Sequence, residues 1–177
     1  MTKKQLYIGL IAAVLGQLFI LVTEYTNAVY PLWTGREIKL ATVPVDPRSM
    51  FRGNYARLNY QISEIPGADI NTARVPRHGE IVFIRLAADK NGLYSYNGAS
   101  LKKPQDGLFI RGRIQTYSSV KRDKYRVKYG IEAFFAPKKK ALQLEKRLRD
   151  NALARIMIAG NGKAALLDVI ADKSSAK

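Results

Sequence analysis

The chain of 177 residues lacks cysteine and has a single histidine, His78. Disulfides, thiolate metal sites and a cysteine nucleophile are therefore excluded, and so is any metal site that needs two or more histidines. A Ser-His-Asp triad would have to use His78. That residue lies in the turn-like stretch 76–80, and we interpret it as an exposed turn residue.

Acidic residues are also scarce, since 14 Asp and Glu face 30 Lys and Arg and leave a formal charge of +16. A glycosidase needs two carboxylates across a cleft, and the acids here show no paired spacing. The excess of cations favours anionic partners such as phospholipid headgroups, acidic polysaccharide or nucleic acid. A merely solvated basic surface explains the composition equally well.

Charge is absent from one segment near the N-terminus. Between residues 6 and 22 the only strongly polar side chain is Gln17. At 1.5 Å per residue such a helix covers roughly 25 Å, the short end of what crosses a bilayer. A buried core helix would show a polar face. A cleaved signal peptide is the other alternative, but Thr26 is a weak fit two residues before a cleavage site at Ala28. The sequence predicts an uncleaved transmembrane anchor over residues 6–23.

The charges flanking this span predict its orientation. Lys3 and Lys4 precede it, and the next basic residue is Arg36. The positive-inside rule then places residues 1–5 in the cytoplasm and the rest of the chain outside the inner (plasma) membrane, in the periplasm. Residues 24–36 form a juxtamembrane stalk whose aromatic rings suit the headgroup layer. These rings are Tyr25, Tyr30 and Trp33.

From residue 37 to 171 the sequence alternates between apolar and polar residues and is interrupted by Gly, Pro and Asn. This pattern predicts one mainly antiparallel β domain. One long strand is expected over residues 55–62, with Leu58 and Tyr60 on one face, and another over 125–135. Gly112 marks a bulge or a close backbone approach. The other expected strands are 37–45, 80–86 as a central strand, 93–98 after a turn at Asn91-Gly92, 108–120, and a hairpin over 154–171.

A single soluble helix is expected over about residues 138–153, where Leu144 and Leu148 share a face and Glu145 can pair with Arg149. Residues 172–177 are expected to be frayed. The predicted fold class is thus mainly β (α+β): an N-terminal transmembrane helix, one antiparallel β domain and one α-helix in its C-terminal half.

The densest stretch of the chain, residues 45–60, has an enzymatic and a structural interpretation. Ser49-Met50 after an anchor is similar to the serine region of signal-peptidase-like Ser/Lys proteases. That chemistry needs a lysine with a lowered pKa. The apolar strands that follow offer Arg85, Arg111 and Arg113 instead, and arginine cannot act as a base. We therefore expect no catalytic residue and no cofactor, with a membrane-bound Ser/Lys hydrolase as the alternative.

Residues 53–60, GNYARLNY, resemble the signature of the GDYXXLXY family of bacterial membrane-anchored proteins. The anchor, the stretch 31–40, the VDPR at 45–48 and the YGIEAFF at 129–135 extend the resemblance over most of the chain. It implies a protein whose gene often lies beside that of a polytopic membrane protein, and it supplies no reaction. We therefore expect an accessory or assembly subunit of a polytopic membrane partner.

One residue departs from the family signature: Asn54 stands where the family has Asp. Asparagine still caps a turn and tolerates left-handed φ, but it cannot serve as a carboxylate acid, base or hard metal ligand. No metal site is expected, and the stretch is interpreted as a rigid turn and a docking edge. The binding candidates are Arg48, Arg52, Gly53, Asn54, Tyr55, Leu58 and Tyr60.

The second half of the chain carries a basic segment. Thirteen Lys or Arg stand against four acids between residues 111 and 150. An anionic membrane surface fits this charge, so an envelope module that binds anionic lipid or polymer is a further alternative. Nucleic acid is disfavoured by the predicted location outside the cytoplasm. The basic patch comprises Lys138, Lys139, Lys140, Lys146, Arg147 and Arg149.

Overall fold

A computed structural model of the chain describes residues 3–43, 55–70, 72, 74–117, 120–135 and 152–171. Within these ranges one long helix, α1 (Lys3–Thr34), precedes a body of strands, which confirms the mainly β prediction. Two short 3-10 turns, Gln61–Ser63 and Gly67–Asp69, lie among the strands. The strands are β1 (Arg36–Val43), β2 (Tyr55–Arg57), β3 (Asn59–Tyr60), β4 (Glu64–Pro66), β5 (Ile81–Ala88), β6 (Leu93–Ser100), β7 (Phe109–Gln115), β8 (Lys124–Lys128), β9 (Ala133–Phe135), β10 (Ala152–Ile158) and β11 (Ala164–Ala171).

Nine of the strands form one curled sheet in the order β11-β10-β1-β6-β5-β7-β8-β4, with β3 added to β1. β2 and β9 form a separate two-stranded sheet. Only β1 and β6 run parallel among the described pairs, so the sheet is mainly antiparallel, as predicted. The curl brings the β10–β11 turn onto β7, where the Arg111 N–H donates to the Gly162 carbonyl at 2.7 Å.

Apolar residues at every second position line the inside of the curl. Along β5, Val82, Ile84 and Leu86 are buried, and β10 buries alternate residues from Ala152 to Ile158. This is the period of two that a strand with one buried face requires. β5 lies between β6 and β7, which confirms it as a central strand, and the hairpins β5–β6 and β10–β11 are also confirmed.

Gly112 marks a close approach rather than a bulge. The β5–β7 register runs through it without a shift. A Cβ at this position would lie 2.2 Å from Cγ1 of Val127. The approaching group is therefore the Val127 side chain, not a backbone segment.

Both long strands predicted from alternation are broken in the structure. Residues 55–57 pair with β9, Asn59–Tyr60 pairs with β1, and a 3-10 turn follows. Likewise β8 ends at Lys128, and β9 begins at Ala133. Gly130 adopts φ +85° between them, a conformation that ends an extended strand. The predicted inward face is nevertheless correct for Leu58, Tyr60 and Ile62, which are all buried.

The predicted helix over residues 138–153 falls mostly outside the described residues, which resume at 152. Its last two residues belong to β10 instead, so the predicted end was wrong. The reason is the alternating burial of β10 and its antiparallel pairing with β1, which dominate over helical spacing. The predicted tail, 172–177, also lies outside the described residues.

Helix α1 extends beyond the predicted span, through the predicted stalk to Thr34. It is long and apolar enough to cross a membrane. Its C-terminal part packs on β10 and β11. Pro31 is buried there, and the Lys163 ammonium donates to the Asn27 carbonyl at 2.6 Å.

Candidate functional site

Few of the residues predicted as a binding site are within the described part of the chain. Arg48, Arg52, Gly53 and Asn54 lie outside it, as does Ser49. The whole basic patch at residues 138–149 lies outside it too. For Tyr55 the backbone is described, in β2 opposite Phe135. Leu58 and Tyr60 are thus the two site candidates whose side chains are described.

Leu58 and Tyr60 point into the core. They are 1% and 2% exposed, respectively. The Tyr60 hydroxyl donates to the Ile131 carbonyl at 2.6 Å, and its N–H donates to the Ser63 hydroxyl at 3.2 Å. Burial, and then the charge of Glu132, raises the pKa of Tyr60 well above its ordinary value. The phenol therefore stays protonated and acts as a hydrogen-bond donor, not as a base.

A tight turn between β8 and β9 faces these two residues. It is closed by Glu132, whose carboxylate accepts the N–H of Tyr129 at 2.5 Å and the N–H of Gly130 at 3.0 Å. Two backbone donors are satisfied by one charged acceptor, an arrangement stronger than a neutral hydrogen bond. Glu132 therefore stabilises the positive-φ turn at Gly130.

The turn and the strand segment after β2 are bonded in both directions. The Leu58 N–H donates to the Glu132 carbonyl at 2.8 Å. The Tyr129 hydroxyl donates to the Ile62 carbonyl, and burial raises the pKa of Tyr129 as well. With the Tyr60–Ile131 bond, these contacts join residues 58–62 to residues 129–132. Sequence reasoning did not assign Glu132 this role, although Gly130 within an alternating run was a signal that the strand breaks there.

An open groove of about 520 Å³ lies beside this junction. Its lining includes Tyr60, Ser63, Glu64, Arg126 and Lys128. Glu64 and Arg126 approach to 3.5 Å, and both side chains are more than half exposed, so the pair contributes little to stability. The groove offers charges of both signs and suits hydrogen bonding to a polar segment.

The described residues outside the groove offer little for metal or acid–base chemistry. No group of three His, Asp or Glu among them is placed to hold a metal ion. His78 is exposed in a turn, as predicted, and stacks on Tyr117 with ring centroids 4.2 Å apart.

The comparison with protein families bears directly on the 58–62 segment. A family model described as GDYXXLXY protein matches residues 17–169. The chain belongs to the GDYXXLXY family. Neither a curated protein nor a solved structure matches it. In this GDYXXLXY protein, the Leu and the final Tyr of the signature are Leu58 and Tyr60. Both are buried, and both donate a hydrogen bond across to the turn at Gly130. These two signature residues therefore contribute to the core and to the junction between residues 58–62 and 129–132.

Proposed function

We propose that this GDYXXLXY protein is a membrane-anchored accessory or assembly subunit, which presents its β domain outside the cytoplasm to a polytopic membrane partner. The observation that carries the proposal is the exposure of α1. Residues 3–28 are all exposed, including Phe19 at 74% and Leu21 at 65%. An apolar surface this large around a whole helix needs lipid or another apolar partner.

Local bonding within α1 also suits a lipid environment. The hydroxyls of Thr23 and Thr26 donate to carbonyls one turn earlier, at Phe19 and Val22, at 2.8 and 2.9 Å. Thr23 lies at the end of the apolar run, where a polar group next to hydrocarbon must be satisfied internally in this way. The basic residues Lys3 and Lys4 at the start of the helix favour a cytoplasmic N-terminus.

The joint between helix and domain supports a fixed presentation of the domain. β1 starts at Arg36, directly after Gly35. The Gly35 N–H donates to the Pro31 carbonyl at 2.9 Å. A Cβ at Gly35 would lie 2.3 Å from that carbonyl and 3.0 Å from the backbone of Ile158. The domain therefore follows the end of the helix directly, without a loose linker between them.

We expect the full chain to remain in the membrane fraction after alkaline carbonate extraction. At the C-terminus, a periplasm-active reporter should give a signal and a cytoplasm-active reporter should not, because the positive flank precedes α1. Fusions of a cytoplasm-active and a periplasm-active reporter to the same C-terminus measure this directly. Release by carbonate, or a cytoplasmic signal, would contradict the anchored subunit.

A small-residue face on α1 offers a place for a partner helix. Gly9, Ala12, Ala13 and Gly16 share one side of the helix at three- to four-residue spacing. Apart from the chain neighbours and the helix's own backbone, no atom lies within 4 Å of a Cβ built at either glycine. Small residues let membrane helices approach closely. Side chains added at these positions should therefore weaken the contact with a polytopic partner.

We expect the Gly9→Leu/Gly16→Leu double variant to recover less of a polytopic membrane protein than the wild-type chain does in a mild-detergent pulldown. The matched control is Ile11→Phe/Leu18→Phe, which enlarges the opposite face of the same helix. Mass spectrometry of the eluates identifies and quantifies the partner. Recovery of the wild-type chain alone across several detergents would refute the subunit role.

A further inference from the structure

We propose that a second groove, which is linked to α1 through Lys163, binds the headgroup of an anionic phospholipid. The groove has a volume of about 320 Å³, and four cations line it: Arg111 and Arg113 from β7, Lys128 from β8 and Lys163 from the β10–β11 turn. We refer to it as the basic groove. The inference rests on the membrane anchoring proposed above and adds a ligand to it.

The cations of the basic groove are only partly neutralised within the described part of the chain. Arg113 and Lys128 stand directly opposite each other in the β7–β8 pair. Like charges at such positions destabilise a sheet. None of the four cations takes part in a salt bridge between described residues. Glu132 also lines the groove. Its carboxylate accepts two backbone N–H groups and offsets one of the four positive charges, so three remain uncompensated. A bound anion would relieve the repulsion.

Two of the cations contact neutral oxygens, which orient them without removing their charge. The Arg113 guanidinium donates to the Gly79 carbonyl at 2.9 Å. The Lys163 ammonium donates to the Asn27 carbonyl of α1 at 2.6 Å. The turn that carries Lys163 is joined to β7 through the bond from the Arg111 N–H to the Gly162 carbonyl, at 2.7 Å. The basic groove is therefore linked to the helix through Lys163.

The position of Asn27 along α1 gives the depth of the groove relative to a bilayer. The apolar run ends at Val22, and Glu24 is the first charged residue after it. Asn27 lies five residues beyond Val22, which at 1.5 Å per residue is about 7.5 Å along the axis. Each headgroup layer is roughly 5–7.5 Å thick. With the hydrocarbon boundary near Val22, the Lys163 ammonium, which contacts Asn27, lies at the outer edge of the headgroup layer.

The chemistry of a phosphodiester fits this site. Its negative oxygens are well matched by guanidinium groups, which can bind two of them at once, and lysine adds a point charge. The acyl chains of the same lipid would lie along the exposed apolar side chains of α1. A lipid is favoured over a soluble anion because the helix places the groove where lipid headgroups are concentrated.

Native mass spectrometry of the full chain in mild detergent can test this inference with phosphatidylglycerol and phosphatidylcholine as probes. We expect preferential retention of phosphatidylglycerol. The Arg111→Gln/Arg113→Gln/Lys128→Gln variant should bind it at least about tenfold more weakly, since each cation near an anionic lipid surface contributes to binding. The matched control is Lys121→Gln/Arg122→Gln/Lys124→Gln. It removes the same charge at the opposite end of β8 and should bind like the wild-type chain.

Three results would overturn the inference: equal retention of the two lipids, equal loss in both triple variants, or displacement of phosphatidylglycerol by millimolar inorganic phosphate. The last result would indicate a site for a soluble anion. Circular dichroism checks the fold of each variant. If the triple variant does not fold, Lys128→Gln at an exposed position repeats the test, with severalfold weaker binding expected. Carbonate extraction of the same variants separates failure of the groove from failure of the anchor.

Discussion

Leu58→Ala is expected to lower the free energy of unfolding by about 2–5 kcal/mol. Leu58 is 1% exposed and belongs to the main apolar core with Tyr60 and Ile62. Truncation removes buried methyl groups and leaves a cavity, because the surrounding backbone is held by the Leu58–Glu132 and Tyr60–Ile131 hydrogen bonds and cannot close the space. Urea unfolding of the full chain in detergent, followed by circular dichroism, measures the loss.

The matched control for this substitution is Leu167→Ala. Leu167 lies on β11 and is 38% exposed, so its truncation should cost less than about 1 kcal/mol. Equal effects of the two variants would contradict the placement of Leu58 in the core. A strong effect at Leu58 alone would mean that the Leu of the GDYXXLXY signature is needed for folding, whatever ligand or partner the family binds.

The sequence was sufficient to predict strands in which apolar and polar residues alternate cleanly and whose partner strands are close in sequence. β5, β6 and the β10–β11 hairpin follow from local alternation and turn residues. The break at Gly130 has a local cause in the positive φ of that residue. The break at Leu58 did not follow, because it depends on hydrogen bonds between residues about 70 positions apart, such as Tyr60 to Ile131. Local periodicity contains no information about such a partner.

The parallel pairing of β1 with β6 and the arrival of the β10–β11 turn on β7 have the same origin. Both are consequences of how the whole sheet curls. For this reason the sequence indicated only that Arg111 and Arg113 cannot act as a base. Their proximity to Lys163, some fifty residues later, appears only when the sheet is assembled. In contrast, the shared face of Leu58 and Tyr60 in the signature was predictable from local alternation alone.

Glu132→Ala is expected to lower the free energy of unfolding by about 2–3 kcal/mol. The carboxylate accepts two backbone N–H groups, those of Tyr129 and Gly130. A hydrogen bond to a charged group contributes roughly 1.5–3 kcal/mol net of its exchange with water, and Gly130 is exposed, so water replaces much of its bond. Tyr129 is 7% exposed, so its N–H is poorly placed to find water. Glu132→Gln keeps one acceptor oxygen and should fall between the wild-type chain and the alanine variant.

Glu64→Ala is the control for Glu132→Ala, because Glu64 belongs to an exposed pair with Arg126 and should cost at most about 1 kcal/mol. Hydrogen exchange adds a local readout. The amides of Tyr129 and Gly130 should exchange faster in Glu132→Ala, and so should the amide of Leu58, because its acceptor is the Glu132 carbonyl. Unchanged exchange at Leu58 would mean that the turn and the signature segment are stabilised independently. Faster exchange at all three amides would identify Glu132 as the residue that holds the turn against the GDYXXLXY signature.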